Sequence, residues 1–369
     1  DLSRVLAGPW ATQFLGDLGA EIIKIEKPGQ GDDTRAWGPP WFDNGQENAK
    51  MSAYFTCANR NKRSLAVDFT TPDGAARIRE LAAEADVVVE NFKKGALARY
   101  GLDYPSLKAV KPDLVYCSIT GFGQTGPYAD RAGYDALIQG MGGLMSITGH
   151  PDGEPMKVGV AVVDLFTGMY AASGILAALA HRDRTGEGQH IDVALFDVQA
   201  AMLANQAANY LATGKAPKRL GNAHPSICPY QAFEAADGYL ILAVGNDEQF
   251  AKFCRVAGHP ELAGKEDFAT NPARVANREK LVPLLSELFL SRPRDWWIEQ
   301  LEAVGVPCGP INDLAEVFSD PQLLSRGMVL EQDGVRMVGN PLKFSATPLE
   351  EPLSPPALGE HSGGWRSRF

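Results

Sequence analysis

The most informative side chain in the sequence is a single carboxylate, Asp164. It is the only charged residue in the 23-residue run 158–180, which is otherwise apolar or uncharged. Removing a carboxylate from water is costly, so its pKa rises unless backbone amides or cations hold it ionised. Carboxylates in such surroundings are disproportionately catalytic. A structural role is equally open from the residues alone, because Asp164 would also suit the N-cap of a helix beginning at Leu165.

Basic side chains follow the predicted strands, where ligands bind in open α/β sheets. Because the chain has a net charge of −10, basic residues gathered at one sheet edge favour the binding of a multiply phosphorylated small ligand. For each single residue, the alternative is an ordinary solvated surface position. The turn Leu6-Ala7-Gly8-Pro9 lacks GxGxxG and no GxxxxGK[ST] occurs, which argues against a nicotinamide dinucleotide and a P-loop. The basic residues are Arg35, Arg60, Lys62, Arg63, Lys93, Lys94, Arg99 and Arg131.

These side chains need a scaffold, and the first half of the chain alternates short β-rich runs with helical patterns. The alternation predicts an α/β fold with a parallel sheet and crossover helices. Strands are predicted over residues 21–26, 64–69, 86–91, 114–120 and 189–194. Helices are predicted over residues 9–18, from Thr71-Pro72-Asp73 onward, and over 104–110, 158–182 and 195–212.

The second half has a different character. Two strand patterns around Asp237-Gly238 predict a hairpin, and amphipathic helices follow it. Residues 306–310 predict a rigid joint, and the strand pattern around Asp333-Gly334 predicts a second hairpin. The helices are expected over 248–257, 273–290 and 294–303, and the stretch from Pro348 is expected to be extended. The predicted domains are a large domain over 1–200, a linker helix and small α+β domain over 201–305, and a return to the large domain over 306–369.

Composition excludes several function classes. With 35 Lys+Arg against 45 Asp+Glu, the chain lacks the basic field that a nucleic-acid-binding protein needs. Five scattered cysteines without CxxC argue against a disulfide framework and a structural zinc site, and favour a cytoplasmic setting. Six histidines without HExxH or paired spacing predict no metal, and no GxSxG supports a serine hydrolase.

The run 158–180 is long enough to cross a bilayer. Its glycines, hydroxyl groups and Asp164 lower its hydrophobicity, and no second span is present, so we predict a buried helix and no membrane association. Because the sequence begins with Asp1, a removed targeting segment would be invisible, and organellar localisation stays open.

Seven segments, taken together and in order, resemble the class III CoA-transferases, the CaiB/BaiF family. This family includes formyl-CoA and succinyl-CoA:glutarate transferases and the related α-methylacyl-CoA racemases. The segments are LAGPWATQ at 6–13, DLGAEIIKIE at 17–26, GDDTRAWGPP at 31–40, NRNKRS at 59–64, DVVVENF at 86–92, SITGFG at 118–123 and RTGEGQ at 184–189. The resemblance implies a large Rossmann-like domain, a small domain, and two chains interlocked in a homodimer.

The resemblance also implies a reaction. Asp164 would be the nucleophile that attacks an acyl-CoA thioester, giving an acyl-aspartyl anhydride and then an aspartyl-CoA thioester that a small carboxylic acid opens. No metal or permanently bound cofactor is implied, and the substrates would be CoA thioesters. The residues implied as CoA contacts are Leu6, Ala7, Arg35, Val67, Asn91, Phe92, Arg99 and Arg131, with Tyr134 and Asp135 beside the reacting groups.

Three alternatives differ in chemistry. Racemases of this family use a histidine where this chain has Tyr134, which weakens an α-methylacyl-CoA racemase. Residues 205–211 and 223–233 resemble the succinyl-CoA:glutarate group, which implies a dicarboxylate acceptor, with a formyl-CoA/oxalate type as the alternative. A CoA-binding protein without catalysis is the third. The terminal motif Leu358-Gly359-Glu360-His361-Ser362 matches the family, whereas residues 363–369 depart from it.

Overall fold

The computed structural model describes residues 1–42 and 51–363. It has a mixed α/β architecture with two compact units. The larger unit comprises residues 1–144, 157–215 and 321–369, and the smaller comprises 145–156 and 216–320. The last predicted segment, residues 363–369, lies outside the described residues except for Gly363.

The strands in the described part of the chain are numbered in chain order. They are β1 (Ile22–Glu26), β2 (Trp41–Phe42), β3 (Met51–Ser52), β4 (Lys62–Ala66), β5 (Val87–Glu90), β6 (Val115–Thr120), β7 (His190–Ala194), β8 (Tyr230–Ala235), β9 (Gly238–Ala243), β10 (Cys308–Pro310), β11 (Val329–Gln332) and β12 (Val335–Val338).

The α-helices are numbered in the same way. They are α1 (Ala7–Asp17), α2 (Ala53–Thr56), α3 (Pro72–Glu84), α4 (Tyr104–Val110), α5 (Asp135–Met141), α6 (Leu144–Ile147), α7 (Val162–Thr185), α8 (Leu195–Met202), α9 (Ala204–Thr213), α10 (Asp247–Val256), α11 (Asn271–Ala276), α12 (Arg278–Phe289), α13 (Arg294–Ala303), α14 (Leu314–Ser319) and α15 (Pro321–Ser325). Three short 3-10 helices span Asp33–Ala36, Ala98–Tyr100 and Pro260–Gly264.

The parallel pairing that the sequence predicts is present, in two pieces. β1 pairs in parallel with β4, while β5, β6 and β7 form a separate three-stranded parallel sheet with β6 in the middle. β4 and β5 are joined by α3, which begins with Pro72 after the Thr71 cap, whose side-chain oxygen accepts a hydrogen bond from Gly74 N. The five predicted strands are therefore recovered, but they do not form one continuous sheet.

The long helix α7 departs from the expectation in two ways. It begins at Val162 rather than at 158, so Asp164 is its third residue and not its N-cap. It packs against α1, α5 and α8 through one face only, and Phe166, Tyr170 and Leu176 on the other face are exposed in the single chain. By length and composition α7 is apolar enough to cross a membrane, a test that core helices also pass. That it does not cross one stays a prediction.

Two predicted helices are each divided. The expected helix over 195–212 breaks between α8 and α9, where Ala204 has a φ of 42°. The expected helix over 273–290 is likewise replaced by α11 and α12. The helical spacing of apolar residues continues across such a break, so the sequence pattern alone does not reveal where one helix ends and the next begins.

In the smaller unit, β8 and β9 form the predicted hairpin. The predicted joint at 306–310 is instead the edge strand β10, which pairs antiparallel with β9. A core of aromatic and aliphatic side chains lies under this three-stranded sheet. In the larger unit, β11 and β12 turn at Asp333-Gly334 as expected, with φ of 50° and 76°.

Candidate active site

The Asp164 backbone is held by another carboxylate. Asp164 is half-buried in the first turn of α7. Asp135, the first residue of α5, accepts hydrogen bonds through Oδ2 from Val163 N at 2.8 Å and from Asp164 N at 3.3 Å. Unpaired amides at a helix start require an acceptor. The cap of α7 thus comes from a different helix, and the Asp164 side chain takes no part in it.

A buried glutamine fixes this cap. Gln139 is fully buried on α5, and its Nε2 donates to Asp135 Oδ1 at 2.6 Å. Its Oε1 accepts from Val158 N at 2.9 Å, on the segment that leads into α7. One amide side chain therefore holds both the capping carboxylate and the backbone before the helix.

This setting changes the acidity of Asp164. Burial and then the nearby Asp135 charge raise the pKa of Asp164 to about 7. Two carboxyl groups in one site disfavour ionisation of both, and the helix N-terminus favours an anion there. Asp164 is thus a carboxyl group that titrates near neutral pH, as expected of a group that carries chemistry.

Tyr54, which the sequence did not single out, lies near Asp164, and Trp37 packs against Tyr54. Burial, followed by the Asp164 charge, raises the pKa of Tyr54 to about 12, so its hydroxyl stays protonated and remains a hydrogen-bond donor. The Trp37 ring meets Tyr54 edge-on at 5.1 Å between centroids, and Trp37 is 46% exposed. Trp37 lies in the segment 31–40 that carries the family resemblance, whereas Tyr54 lies in none of the seven segments and is identified only by its place in the fold.

The loop before α1 ends at the predicted contact Leu6, and the predicted contact Ala7 is the first residue of α1. Asn91, another predicted contact, clamps Arg4 from both sides: its Oδ1 accepts from Arg4 N at 2.9 Å and its Nδ2 donates to Arg4 O at 2.6 Å. Val5 has a φ of 70°, which is strained for a β-branched residue, and its amide donates to Asp32 Oδ1 at 3.2 Å. The loop is therefore held in a fixed, strained shape before Leu6 and Ala7 turn into the core.

Gly168 brings this loop to the Asp164 helix. It lies one turn after Asp164, and a Cβ at this position would come within 2.7 Å of Ala7 O and 3.0 Å of Trp10 Cδ1. The close approach of α1 and α7 therefore depends on the missing side chain. The predicted contacts Leu6 and Ala7 and the predicted nucleophile are consequently neighbours.

Gly168→Ala is expected to lower the free energy of unfolding by about 1–3 kcal/mol through overpacking. Gly174→Ala, on the same helix, is the matched control, because its Cβ would meet Ile191 Cγ2 at an ordinary 3.4 Å. Since alanine favours a helix over glycine by about 0.5–1 kcal/mol, Gly174→Ala should not destabilise the protein. Thermal unfolding of both variants checks the expectation, and equal midpoints would contradict it.

An aromatic shelf lies at the carboxyl ends of β4 and β5. We define it as Val67, Phe69, Phe92 and Tyr100, which pack against one core. Phe69 meets Phe92 and Tyr100 edge-on at 5.5 and 5.6 Å between centroids. Arg4 lies 5.0 Å above Phe92, and the exposed Arg99 lies 4.7 Å above Tyr100. The fold thus brings together the predicted contacts Val67, Asn91, Phe92 and Arg99, and adds Arg4.

Arg35 is occupied inside the protein. Its Nε and Nη2 donate to Glu26 Oε1 and Oε2 at 2.8 and 2.7 Å, its guanidinium lies 3.7 Å from the Phe55 ring centre, and its side chain is only 12% exposed. Arg60 pairs in the same bidentate way with Asp17. These arginines therefore hold the fold, and a contact between Arg35 and CoA stays a prediction.

Arg131 and Tyr134 lie at the surface of the larger unit. The Arg131 guanidinium is exposed and lies 4.6 Å from the Tyr128 ring centre and 5.4 Å from that of Phe122. Tyr134 is 68% exposed and directly precedes the capping Asp135. No described contact joins either side chain to the aromatic shelf.

Comparison with known proteins is consistent with this arrangement. A family model described as CoA-transferase family III matches residues 1–362. The chain is 54% identical over 366 residues to a succinate–glutarate CoA-transferase of Agrobacterium fabrum, covering 98% of this chain and 92% of that protein. It is 47% identical to the human succinyl-CoA:glutarate CoA-transferase, covering 98% and 82%. It is 42% identical to an acetyl-CoA:oxalate CoA-transferase of Acetobacter aceti, covering 100% and 94%.

A solved structure agrees. The crystal structure of a CaiB/BaiF family protein from Brucella suis matches with a TM-score of 0.89 and 56% identity, covering 98% of this chain and 95% of that one. The family model spans nearly the whole chain, and the relatives align over nearly all of it. The chain therefore belongs to CoA-transferase family III, the CaiB/BaiF family.

Proposed function

We propose that the protein transfers CoA from succinyl-CoA to glutarate or a similar small dicarboxylate. The observation that carries the proposal is the half-buried Asp164 in the first turn of α7, with its amide capped by Asp135 and a pKa near neutral. The relatives with 54% and 47% identity that act on succinate and glutarate support this choice of acids.

In the proposed reaction the ionised Asp164 attacks the thioester carbonyl of the donor. CoA thiolate leaves, and a mixed anhydride joins Asp164 to the donor acid. The thiolate then attacks the aspartyl carbonyl, which releases the donor acid and leaves an aspartyl-CoA thioester. The acceptor carboxylate attacks that thioester and expels CoA thiolate, which leaves a second mixed anhydride between Asp164 and the acceptor. The thiolate finally attacks the acceptor carbonyl of this anhydride, which forms the new CoA thioester and regenerates the Asp164 carboxylate. Every step exchanges one acyl bond for another.

Tyr54 supports the acyl-transfer steps in this proposal. Each attack at an acyl carbonyl develops negative charge on oxygen, which a fixed donor stabilises. The protonated Tyr54 hydroxyl near Asp164 is such a donor. Tyr134, exposed beside Asp135, does not supply the imidazole base that an α-methylacyl-CoA racemase uses, which favours the transferase.

The reaction needs the ionised form of Asp164, so its acidity sets the pH dependence. With a pKa of about 7, kcat/KM should rise with pH, reach half its plateau near 7, and be about one tenth of the plateau a unit lower. A profile at fixed ionic strength between the acid and alkaline limits of folding checks this. A flat profile from pH 5 to pH 8, as roughly expected for an ordinary carboxyl group, would contradict it.

We also propose that the aromatic shelf, Asn91 and Arg99 hold CoA at the carboxyl edge of a Rossmann-like larger unit. The shelf offers apolar faces, while Arg4 and Arg99 offer positive charge for phosphate groups.

Arg99→Ala should raise KM for succinyl-CoA about 5–20-fold at nearly constant kcat, because it removes binding rather than chemistry. Lys108→Ala is the matched control, since Lys108 is likewise an exposed cation over a tyrosine, 5.6 Å from the Tyr104 ring centre. Equal KM values in both variants would overturn this assignment.

A homodimer with interlocked chains is the third part of the proposal. The larger unit exposes large apolar side chains on neighbouring elements, which favours coverage by another chain. These side chains are Tyr134, Leu137 and Met141 on α5 or just before it, Phe166 and Tyr170 on α7, and Leu211 on α9. Sedimentation at micromolar concentration should give twice the monomer mass, and a monomer that retains full activity would refute the dimer.

The choice of acceptor is tested by initial rates with succinyl-CoA and glutarate, oxalate or mesaconate. The proposal expects kcat/KM for glutarate to exceed that for oxalate. A preference for oxalate would favour the formyl-CoA/oxalate alternative.

Incubation of an α-methylacyl-CoA in deuterated water tests the racemase alternative. Deuterium uptake at the α-carbon without acyl exchange would overturn the transferase proposal.

A further inference from the structure

A row of polar side chains crosses one face of the three-stranded parallel sheet. Glu90, Ser118 and Asp192 are register partners on β5, β6 and β7, and Tyr116 and His190 form the adjacent pair on β6 and β7. Side chains two residues apart on a strand share a face, so all five lie on the same side of the sheet. Buried polar groups cost free energy unless they are hydrogen-bonded, so the bonds within this row decide what it does.

Three of these side chains form a hydrogen-bonded chain. Glu90 is 6% exposed and Ser118 is 2% exposed. The Ser118 hydroxyl is hydrogen-bonded to the Glu90 carboxyl group, and its Oγ lies 2.9 Å from His190 Nε2. The exposed His190 ring stacks on Tyr104 of α4 at 5.1 Å between centroids. The chain therefore leads from a buried carboxyl group to a ring that solvent reaches.

The buried end of this chain holds the turn after β5. Glu90 is the last residue of β5, and its Oε2 accepts a hydrogen bond from Phe92 N at 2.8 Å. This bond spans Asn91, whose side chain clamps Arg4, and it fixes the backbone of Phe92, which belongs to the aromatic shelf. The Glu90 carboxyl group thus sets the shape of the turn that carries two of the predicted CoA contacts.

The surroundings of Glu90 oppose its ionisation. Burial raises the pKa of Glu90, the hydrogen bonds from Ser118 and Phe92 N lower it, and the Asp192 charge raises it again, with the result that the pKa is about 7. Both charge states of this carboxyl group are therefore populated near neutral pH.

The other titratable groups around the row are neutral at that pH or are engaged elsewhere. Burial, followed by the Glu90 charge, raises the pKa of Tyr116 and that of Cys117, and burial lowers the pKa of His190. Asp103, which precedes α4, acts on Tyr116, and Lys108 of α4 lies over the Tyr104 ring. Asp192 is therefore the neighbouring charge that acts on Glu90 itself.

We propose that Glu90 is a positioning residue for CoA, and that Ser118 and His190 carry its proton to and from solvent. The inference rests on the proposed binding of CoA at the aromatic shelf. An ionised carboxylate accepts a stronger hydrogen bond from Phe92 N than a protonated carboxyl group does. Ionised Glu90 therefore holds the turn more firmly in its binding shape, and the affinity for CoA rises with pH as Glu90 ionises.

The single hydroxyl proton of Ser118 links the two states. When Glu90 is ionised, Ser118 donates to it and accepts from the Nε2–H of His190. When Glu90 is protonated, it donates to Ser118, which donates to an unprotonated Nε2, and His190 carries its proton on Nδ1. One proton taken up at Nδ1, with one proton passed along each hydrogen bond, converts the first state into the second.

Calorimetric binding of CoA between about pH 6 and pH 8 tests this role. All proteins carry Asp164→Asn, so that Asp164 does not titrate. Glu90→Gln is the central variant, because its Oε1 can accept from Phe92 N and its Nε2 can donate to Ser118, while the side chain stays neutral at every pH. Comparison with this variant removes the titration of the phosphate groups of CoA itself. Thermal unfolding verifies that each variant is folded.

Relative to Glu90→Gln, the protein with Glu90 should gain about 3–10-fold in affinity from pH 6 to pH 8. Asp192→Asn should move this gain to lower pH, because it removes a charge that opposes ionisation of Glu90. Ser118→Ala should move it to higher pH, because it removes a hydrogen bond to the ionised form. Asp197→Asn, which removes an exposed carboxylate on α8, is the control and should leave the profile unchanged.

Kinetics with Asp164 intact give a second readout. Glu90→Gln should raise KM for succinyl-CoA about 3–10-fold at pH 8 with nearly constant kcat, and should have little effect on KM at pH 6. A residue that only stabilises the fold would not produce this dependence on pH.

Two results would overturn the inference alone. One is CoA binding that Arg99→Ala weakens but Glu90→Gln leaves unchanged at every pH. The other is a shift of the profile in the same direction by Asp192→Asn and Ser118→Ala. Absence of CoA binding in all of these proteins would overturn the proposed function together with the inference.

Discussion

Asp164→Asn is expected to lower kcat at least about 10³-fold while leaving the affinity for CoA within roughly threefold of the parent. The amide keeps the size of the side chain but does not attack a thioester as a carboxylate does. Because the backbone cap from Asp135 does not involve the Asp164 side chain, the start of α7 should stay in place. Steady-state rates with succinyl-CoA and calorimetric binding of CoA measure the two effects separately.

Asp197→Asn is the matched control for this variant. Asp197 is also the third residue of a helix, α8, but is exposed and has no described role at the site. Its kcat should stay within about twofold of the parent. An Asp164→Asn protein with ordinary kcat and full CoA binding would instead indicate a binding protein in which Asp164 carries no chemistry.

Asp135→Asn should produce the second largest effect. Asparagine Oδ1 still accepts from Val163 N and Asp164 N, so these two hydrogen bonds are retained while the charge is lost. Its Nδ2 then faces Gln139 Nε2, which is also a donor, so the hydrogen bond between these two side chains is lost. Because the Asp135 charge helps to raise the pKa of Asp164, its removal should shift the acid limb of kcat/KM to lower pH by about one unit. Asp135→Ala, which also removes the cap, should lower kcat by about 10–100-fold and cost about 1–2 kcal/mol of stability.

The pH profile separates a positioning role from a merely structural one. A structural residue would lower activity equally at every pH, whereas Asp135→Asn should raise relative activity at pH 6 compared with pH 8. Asp197→Asn again provides the reference, since it removes one exposed carboxylate without changing the profile. An unshifted acid limb in Asp135→Asn would mean that Asp135 does not set the acidity of Asp164.

Local patterns were sufficient to predict much of the fold. Alternating apolar runs gave the strands from β1 to β7 that carry the parallel pairing, and Thr71-Pro72 marked the start of α3. The lone carboxylate in an apolar run singled out Asp164 because desolvation is a local property. The position after a predicted strand singled out Arg99, since the carboxyl ends of parallel strands share one edge. Asn91 and Phe92 were implied by the family resemblance.

Features that depend on distant partners were not predictable in this way. The start of α7 is fixed by Asp135 and Gln139, which lie 29 and 19 residues from their backbone partners. The sequence predicts Arg35 as a side chain that binds a phosphate group, but in the structure its guanidinium pairs with Glu26. Tyr54 reaches the site by tertiary packing alone.

The most direct test of the account is to detect the covalent intermediate. The protein is incubated with succinyl-CoA without an acceptor, quenched with hydroxylamine, digested, and analysed by mass spectrometry, with Asp164→Asn treated in parallel. Hydroxylamine captures an activated aspartyl group as the hydroxamate. We predict one modified peptide, with the change on Asp164, dependent on succinyl-CoA and missing from the variant. An unmodified Asp164 under conditions in which the same sample turns over succinyl-CoA and glutarate would contradict covalent transfer through this residue.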